Sequence, residues 1–378
     1  MTKVAFLLSK DPSTAHGGDA EIGRVVMGLA AQEFEVSAIA LSDVAGTTST
    51  DVVPGGLPLI QVRKPEIDRI ALLRNAISKR RSLVHVRFDS DAFVDAIDSS
   101  DADLFVSDHS YMAESFLRSR HLGSRGFVIN TGISESLVWS ATRGALGRIE
   151  APRLLRDELR VARAADAVGT YEIEEAQMYR DNGVAGARFL DVTLPPRTPV
   201  DVSATGPRLV FMGARDWPPN QEAFLYALEL WPRIAAGIPG AELCIIGAKK
   251  RGAADPSYPD GVRDLGFVEN LHEFLGTCRA LMAPIKTGGG VRVKLLDSAS
   301  IGLPVIGTGA AVGSLRSVFD MPTYDDELDF IEQCRLLLLD RDAAVVSGTR
   351  LYQVNDEHWR ADRPRRAVED FLHAGVEQ

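Results

Sequence analysis

The sequence alternates short apolar runs with longer segments of helical periodicity, and this alternation limits the folds open to the chain. Seven runs in the first half predict strands: Val4–Ser9, Val36–Leu41, Leu59–Val62, Leu104–Ser107, Gly126–Asn130, Ala167–Gly169 and Arg188–Val192. The segments between them include four predicted helices: Glu21–Ala31, Ile67–Ser82, Pro152–Ala165 and Glu172–Asn182. Because parallel strands need long crossover connections, this pattern indicates βα units that wind a parallel sheet covered on both faces.

The alternation stops at residues 194–207 and then resumes. This segment is rich in proline and small polar residues, which is typical of an interdomain linker. Five more strands are predicted after it: Leu209–Met212, Leu243–Gly247, Val262–Gly266, Ala280–Ile285 and Pro304–Gly307. Their helices are Asn220–Ala236, Leu271–Cys278, Val291–Ile301 and Asp326–Asp340. We therefore predict an α/β protein with two doubly wound domains and a ligand cleft between them.

Composition narrows the functional classes. A chain of 378 residues with 45% hydrophobic content can bury two cores, and its net charge of −10 argues against general nucleic-acid binding. Cys244, Cys278 and Cys334 form no CxxC pair, so we expect reduced packing residues and no metal site. The first apolar run is too short for a signal peptide and no segment is long enough to span a bilayer. We expect a soluble, cytoplasmic protein.

Three consecutive glycines, Gly288–Gly290, separate a predicted strand from a predicted helix. Backbone N–H groups and the positive end of the helix make such a junction suitable for binding an anion. In a helix that begins at Val291, Gly290, Lys294 and Asp297 would share one face, with Lys294 and Asp297 about 5 Å apart along the axis. This spacing suits a lysine on a diphosphate and a carboxylate on the ribose of one nucleotide. The alternative is a surface Lys–Asp pair behind a flexible loop.

Five motifs in the second half resemble a known family. They are Phe211–Asn220 (FMGARDWPPN), Leu243–Ala248, Asp264–Leu271, Ala283–Asp297 and Gly302–Thr308. In this order they resemble the donor domain of retaining GT-B glycosyltransferases of family GT4, over roughly residues 208–316. In the first half the resemblance is looser and rests on His16–Gly18 and on the segment Arg153–Val168.

The resemblance implies the GT-B architecture, in which two Rossmann-like domains face each other across a cleft. Residues 1–195 would form the acceptor-binding domain, residues 196–207 the linker and residues 208–358 the donor-binding domain. A C-terminal helix at about 359–378 would pack back onto the first domain.

The resemblance also implies roles for individual residues. Gly213 would let the first donor-domain loop approach the ligand, and Arg215 would bind the diphosphate through its planar fork. Lys294 would supply the second positive charge, because the turn after Arg215 lacks the lysine common in the family. The backbone of Gly266–Val268 would contact the base.

Two departures from the family pattern concern the ribose and the sugar. Asp297 stands where relatives usually have a glutamate for the ribose hydroxyls, and its side chain is shorter. Gly289 stands where many relatives have a glutamate that contacts the sugar. We expect the sugar to be held by backbone N–H groups of Gly288–Gly290, with Val291 part of the same donor-binding loop.

Two histidines are candidates on the acceptor side. His109 follows a predicted strand at the edge where α/β proteins bind ligands, and relatives have a histidine near the transferred sugar in the corresponding loop. The alternative is a histidine that only stabilises a turn, with Asp108 either orienting its ring or capping a helix. His16, with Gly17 and Gly18, resembles the glycine loop that faces the acceptor in the family.

The stretch 67–87 is basic, with apolar residues at helical spacing. In a protein of net charge −10 it could contact an anionic bilayer or a charged acceptor, or it could be a solvated helix face.

Together these features predict transfer of a sugar from a nucleoside-diphosphate sugar to an acceptor hydroxyl, with retention of anomeric configuration. UDP or GDP would be the nucleotide, and the acceptor a glycan, a lipid-linked sugar or a small molecule. Arg215, Lys294 and His109 are the catalytic candidates, with no metal, no other cofactor and no protein general base. The alternatives are a sugar-nucleotide 2-epimerase of the same fold, a non-catalytic nucleotide-sugar-binding protein or a nicotinamide enzyme.

Overall fold

The structure is a computed structural model that describes residues 1–15, 17–53, 55–249, 252, 254 and 256–376. The chain folds into two compact units. The first comprises Met1–Val192, Gly289–Val291 and the chain from Asp362 onward, and the second comprises Thr193–Gly288 and Arg292–Ala361. Each unit contains one sheet.

The first unit contains an eight-stranded sheet in the order β3-β4-β2-β1-β5-β6-β7-β8. Its strands are β1 (Lys3–Leu8), β2 (Glu35–Ser42), β3 (Gly46–Thr50), β4 (Leu57–Arg63), β5 (Leu104–Asp108), β6 (Gly126–Thr131), β7 (Ala167–Thr170) and β8 (Ala187–Phe189). All neighbours pair in parallel except β3 and β4, which are antiparallel. The central strands are buried along almost their whole length, as expected for a parallel sheet covered on both faces.

The helices of this part of the chain are α1 (Gly18–Ala30), α2 (Arg69–Ser78), α3 (Leu83–Phe88), α4 (Asp91–Asp98), α5 (Ala113–Phe116), α6 (Glu135–Thr142), α7 (Gly144–Ala162) and α8 (Ile173–Asp181). The predicted start of α7 at Pro152 is wrong, because the helix begins at Gly144 and continues through the proline. A proline inside a helix removes one backbone hydrogen bond without necessarily ending the helix.

The second unit contains a five-stranded, fully parallel sheet in the order β11-β10-β9-β12-β13. Its strands are β9 (Arg208–Met212), β10 (Glu242–Ile246), β11 (Val262–Gly266), β12 (Ala280–Ala283) and β13 (Val305–Gly307). Its helices are α9 (Pro218–Ala235), α10 (Leu271–Leu275), α11 (Val293–Ile301), α12 (Gly309–Val312), α13 (Leu315–Phe319), α14 (Glu327–Leu339) and α15 (Arg341–Arg360). The last helix of the chain, α16 (Arg363–His373), packs on α1 in the first unit.

The proline-rich segment expected to be a linker is hydrogen-bonded along the second unit. The backbone N–H of Arg197 donates to the carbonyl of Ser300 at 2.8 Å, and that of Val200 to Ile301 at 2.8 Å. The segment therefore follows the end of α11 over these residues.

In each sheet the strand order reverses once, between β1 and β5 in the first and between β9 and β12 in the second. Ligands of doubly wound proteins bind outside the carboxyl ends of the strands at this reversal. In each unit, the loops at this reversal are therefore the expected ligand-binding position.

Among the helices of the described residues, none combines the length and hydrophobicity needed to cross a bilayer.

Candidate functional site

The first loop cluster lies at the reversal of the second sheet and is centred on Lys294. Lys294 is the second residue of α11, and its Nζ donates to Oδ1 of Asn220 at 2.9 Å. The Nδ2 of Asn220 donates to the carbonyl of Ala214 at 3.0 Å, which fixes the amide so that its oxygen faces the lysine. Nζ also lies 5.8 Å from the centroid of the Phe211 ring, within reach of a cation–π interaction.

The Lys294 amine has no counter-charge in the part of the chain that the structure describes: no carboxylate forms an ion pair with it. Burial, together with the nearby charge of Arg292, lowers the pKa of Lys294 to about 8. Gly213 supports this arrangement, because a Cβ at that position would lie 2.7 Å from Cγ of Asn220. The cluster thus holds a half-buried cation that an anionic ligand would neutralise.

Arg215 does not face this cluster as a free cation. Its side chain is 3% exposed, and its guanidinium donates to both carboxylate oxygens of Asp264, at 2.7 and 2.9 Å. It also donates to the carbonyl of Gly247 at 3.2 Å and lies over the ring of Phe224. The fork expected to bind a diphosphate is therefore occupied by a carboxylate of the protein itself.

Asp264 stays ionised in this pair. Burial alone would raise its pKa, but hydrogen bonds from Arg215 and Tyr258 outweigh burial and lower the pKa to about 2. The sequence motif that contains Asp264 does not reveal this pairing. The pair connects the loop after β9 to strand β11, so Arg215 positions the loop that carries Ala214.

The remaining donor candidates lie on loops and on α11. Gly266 ends β11 with a φ of +64°, a conformation that favours glycine, and its carbonyl accepts from the N–H of Gly247 at 2.7 Å. Val268 is half-buried two residues later, next to Phe267, whose side chain is 74% exposed. Asp297 is the fifth residue of α11 and is 9% exposed.

The glycine loop differs from the expectation in one respect. Helix α11 begins at Val293, so Gly290 precedes the helix and does not share a helical face with Lys294. Gly290 has a φ of +71°, and the N–H of Val291 donates to the carbonyl of Gly132 at 3.0 Å. The N–H of Val291 is therefore already satisfied, while those of Gly288–Gly290 remain the expected donors.

The second loop cluster lies at the reversal of the first sheet and is centred on His109. His109 follows β5 with φ 70° and ψ 152°, a region that is essentially restricted to glycine and costs a side-chain-bearing residue about 1–3 kcal/mol. Its N–H donates to the carbonyl of Asn130 at 2.9 Å and its ring stacks on Tyr111, with centroids 5.1 Å apart. Residues held in such strained conformations concentrate at active sites.

The imidazole of His109 is buried and only partly satisfied. The residue is 5% exposed, and among the described residues its Nδ1 has no hydrogen-bond partner. Its Nε2 lies 3.8 Å from Oδ2 of Asp108, which is too long for a hydrogen bond. A buried, unsatisfied ring nitrogen on a strained backbone favours the functional interpretation of His109 over a turn-stabilising one.

Glu135 belongs to the same cluster and was missed from the sequence. Burial raises the pKa of its carboxyl, while the neighbouring charges of His109, Arg143 and Lys10 oppose that shift. No periodicity or motif indicates this residue, because its proximity to His109 depends on the pairing of β5 with β6.

On the acceptor side, His16 lies outside the described residues, whereas Gly17 is the N-terminal cap of α1 with a φ of 118° and Gly18 begins that helix.

The basic stretch forms α2 and its flanks, and it exposes apolar side chains. In α2 only Ala76 is buried, while Ile70, Leu73 and Ile77 are 82%, 53% and 60% exposed. Their spacing places these three on one helical face. We refer to Ile70, Leu73 and Ile77 as the exposed face of α2.

A family model matches part of the second half of the chain. Residues 206–340 match the family model described as glycosyl transferases group 1. This segment is similar to the group 1 glycosyl transferases. It contains Gly213, Arg215 and the whole of α11, and it therefore contains the Lys294 cluster.

Solved structures extend the similarity to the whole chain at the level of the fold. Sucrose-phosphate synthase from Thermosynechococcus elongatus aligns with a TM-score of 0.73 and 17% identity, covering 99% of this chain and 100% of that one. HepE from Anabaena in complex with UDP-glucose aligns at 0.64 and 12%, covering 98% and 99%. WaaG, a glycosyltransferase involved in lipopolysaccharide biosynthesis, aligns at 0.62 and 14%, covering 97% and 99%. No curated protein matches the sequence.

The chain therefore has the GT-B fold with two Rossmann-like units, as predicted. Within the described residues of both units, no group of three or more His, Cys, Asp or Glu side chains is arranged to hold a metal ion.

Proposed function

We propose that this protein is a glycosyltransferase that moves a sugar from a nucleoside-diphosphate sugar to an acceptor and retains the anomeric configuration. The family match and the GT-B fold support the class of reaction. The observation that carries the proposal further is Lys294, a half-buried amine at the strand-order reversal of the second sheet. Within the described residues no carboxylate pairs with it, so an anion would neutralise it, and a diphosphate supplies one.

In this proposal the chemistry depends on stabilising the leaving diphosphate. Lys294 binds it as a point charge, held in place by Asn220, and the first N–H groups of α11 add the positive end of a helix. Because these groups are positioned before the reaction, they lower the barrier without reorganising. Arg215 contributes indirectly, by fixing the loop whose Ala214 carbonyl orients Asn220.

The stereochemistry and the proton transfers belong to the same proposal. Retention follows from the GT4 resemblance, with attack from the face that the diphosphate leaves and the diphosphate accepting the proton of the acceptor hydroxyl. His109 contacts the sugar or the acceptor through its unsatisfied Nδ1, which suits a hydrogen bond to a hydroxyl. Asp297 binds the ribose, and the backbone of Gly266–Val268 contacts the base.

For the nucleotide we propose UDP, because HepE, which shares the fold, has been solved with UDP-glucose. No separate cofactor enters the proposal, since the nucleotide sugar is a co-substrate. The three cysteines are free and buried, which is consistent with a cytoplasmic enzyme.

The proposal is tested by thermal shift with UDP, GDP, dTDP, CMP, NADH and the corresponding nucleotide sugars. A ligand that binds only the folded state raises the melting temperature by mass action, so one nucleoside diphosphate should stand out. Lys294→Ala is the variant in which that shift should disappear. A shift with NADH alone would overturn the proposal.

Two alternatives give different results in a turnover assay. A 2-epimerase would interconvert UDP-sugars without an acceptor, and Glu135 beside His109 is the observation that favours it. A non-catalytic protein would show the thermal shift without release of nucleotide. Release of UDP that depends on an added acceptor, with an α-configured product from an α-configured donor by NMR, would support the retaining transferase.

We also propose that the exposed face of α2 rests on an anionic bilayer. Three large aliphatic side chains project into solvent from a helix that buries only Ala76. Arg69 and Arg74 lie on the same helix and, among the described residues, form no ion pair, so the face combines apolar area with free positive charge. These are the properties of helices that lie in the interface of a membrane containing acidic lipids.

A further inference from the structure

The first unit contains a cavity of about 210 Å³ at the carboxyl edge of its sheet. It is lined by residues that follow or end four neighbouring strands, together with the end of α3: Ser9, Lys10, Leu41, Lys64, Pro65, Arg87, Phe88 and Tyr111. Pockets for whole drug-sized ligands measure roughly 300–1,000 Å³. A cavity of this size suits a part of a ligand, such as one charged group and the atoms next to it.

The cavity is positively charged. Three of its eight lining residues are Lys10, Lys64 and Arg87, and none is acidic. In the described part of the chain, neither Lys64 nor Arg87 forms an ion pair with a carboxylate. In a protein of net charge −10, Lys64 and Arg87 at one cavity indicate a site for an anion.

The nearest acidic residue in sequence, Asp11, does not neutralise these cations. Its carboxylate accepts hydrogen bonds from Ser42 at 3.1 Å, from Gln61 at 2.6 Å and from Ser13. Because Ser42 and Gln61 belong to β2 and β4, Asp11 fixes the loop after β1 against the neighbouring strands. Asp11 therefore positions Lys10 at the cavity.

The wall of the cavity is continuous with the His109 cluster. The ring of Tyr111 stacks on Phe88, with centroids 4.3 Å apart, and also on His109, with centroids 5.1 Å apart. The hydroxyl of Tyr111 reaches Ser9 at 3.5 Å. A ligand whose charged end occupies the cavity would therefore extend past Tyr111 toward the imidazole of His109.

We propose that this cavity binds an anionic group, a phosphate or a carboxylate, of the acceptor. The inference rests on the proposed function, since it assigns the acceptor of that reaction to the first unit. It specifies an acceptor with a negative charge, held by Lys64 and Arg87 while its hydroxyl is presented near His109. The anion belongs either to a soluble sugar phosphate or to the headgroup of a lipid.

The soluble source is tested by isothermal titration calorimetry of the full-length protein with glucose 6-phosphate, and with glucose as the neutral control. We expect saturable binding of the phosphate ester and none of glucose. Lys64→Ala and Arg87→Ala should each weaken it about tenfold, equivalent to about 1.4 kcal/mol. Arg120→Ala removes the same charge from an exposed position of the first unit that does not line the cavity, and it should bind like the wild type.

The lipid source is tested by co-sedimentation with phosphatidylcholine vesicles with and without phosphatidylinositol. Every protein in this assay also carries Ile70→Gln, which weakens any contact between α2 and the vesicle. Binding that requires phosphatidylinositol and falls in Lys64→Ala and Arg87→Ala would assign the anion to a lipid headgroup. The proposal is overturned if neither ligand binds, or if both variants bind both ligands as tightly as the control.

A titration with UDP separates this inference from the proposed function. Lys294 lies in the second unit, so Lys64→Ala and Arg87→Ala should leave the affinity for UDP unchanged. If UDP binds normally but these variants do not change the binding of glucose 6-phosphate or of vesicles, only the proposed acceptor site is wrong. If the anion binds but no nucleotide binds, the proposed function is wrong instead.

Discussion

The guanidinium of Arg215 and the carboxylate of Asp264 form two parallel hydrogen bonds, of 2.7 and 2.9 Å, although 49 residues separate them in the sequence. Their side chains are 3% and 5% exposed. A buried pair of this kind is weak evidence for net stabilisation, because both charges lose their hydration. Its loss on one side, however, leaves a buried charge without a partner, and this asymmetry leads to a testable prediction.

We expect Asp264→Asn to lower the free energy of unfolding by about 3 kcal/mol, because Arg215 would stay buried and charged. The double variant Arg215→Met/Asp264→Leu should recover most of this loss, since no buried charge then remains and Lys249, which also pairs with Asp264, is 47% exposed. Urea denaturation of the three proteins measures both effects. If Asp264→Asn is as stable as the wild type, the guanidinium reaches solvent and is available to a ligand.

The same pair predicts a pH dependence of stability. The pKa of Asp264 is about 2 in the folded protein, below the value of about 3.9 in an unfolded chain. The stabilisation is therefore complete above pH ~5 and is lost progressively as the pH falls toward ~1, by about 2.6 kcal/mol in total. In denaturation series at decreasing pH, the wild type should lose this increment and the double variant should not.

Lys294 predicts a pH dependence of donor binding. With a pKa of about 8 in the ligand-free protein, Lys294 is charged at neutral pH and loses its proton in mildly alkaline solution. UDP affinity should therefore fall above pH ~8, and binding below that pH should need no proton uptake. Lys294→Arg should bind UDP with a flat pH profile, because arginine stays protonated, and Lys294→Ala should reduce turnover severely. A wild-type profile that stays flat to pH ~10 would contradict the lowered pKa, and UDP affinity unchanged in Lys294→Ala would exclude contact between Lys294 and the diphosphate.

The elements predicted from the sequence are those with a strong local signal. Strand β11 has the predicted bounds, and the apolar runs of the other buried strands lie within two or three residues of their observed ends. Strand β3 was missed because its sequence, GTTST, contains no apolar residue and four of its five residues are exposed. The short helices α3 to α6 were missed because they carry too few turns for a helical period to be recognised.

The site was predictable where one motif contains the residues and not where distant strands bring them together. The glycines lie on the loop before α11 and Lys294 lies in its first turn, so one short motif contains them all and predicts an anion site. The partner of Arg215 comes from β11, and no local pattern shows that this arginine is already paired. Likewise, no local pattern shows the strained backbone of His109 or its hydrogen bond to Asn130 on the neighbouring strand.

The glycine loop offers a matched pair of substitutions. A Cβ at Gly290 would lie 2.2 Å from the carbonyl oxygen of Gly132, and the φ of +71° also disfavours any other residue. We expect Gly290→Ala to displace the loop and to lower turnover and the UDP-dependent thermal shift together. Gly288→Ala is the control, since its Cβ would lie 3.5 Å from Ile285, an ordinary contact. Equal activity of the two variants would show that the loop conformation does not matter for donor binding.

Two variants of His109 distinguish the effect of its strained backbone on stability from the role of its imidazole in turnover. His109→Gly and His109→Ala both remove the imidazole, but only glycine relaxes at φ 70° and ψ 152°. The glycine variant should therefore be more stable than the alanine variant by about 1–3 kcal/mol, measured by urea denaturation. Both should lose turnover at least tenfold if the imidazole contacts the substrates. Full activity of His109→Gly would leave His109 with a purely structural role.

The exposed face of α2 predicts membrane binding that is independent of folding. Replacing Ile70, Leu73 and Ile77 by glutamine should leave the melting temperature unchanged, because all three side chains project into solvent and glutamine retains helix propensity. The same variant should lose co-sedimentation with phosphatidylglycerol vesicles, and the wild type should release such vesicles at high salt because part of the attraction is electrostatic. Leu339→Gln/Val346→Gln is the control, since these aliphatic side chains are 61% and 67% exposed on α14 and α15. Equal vesicle binding by the α2 variant and this control would show that the exposed face of α2 is only solvated.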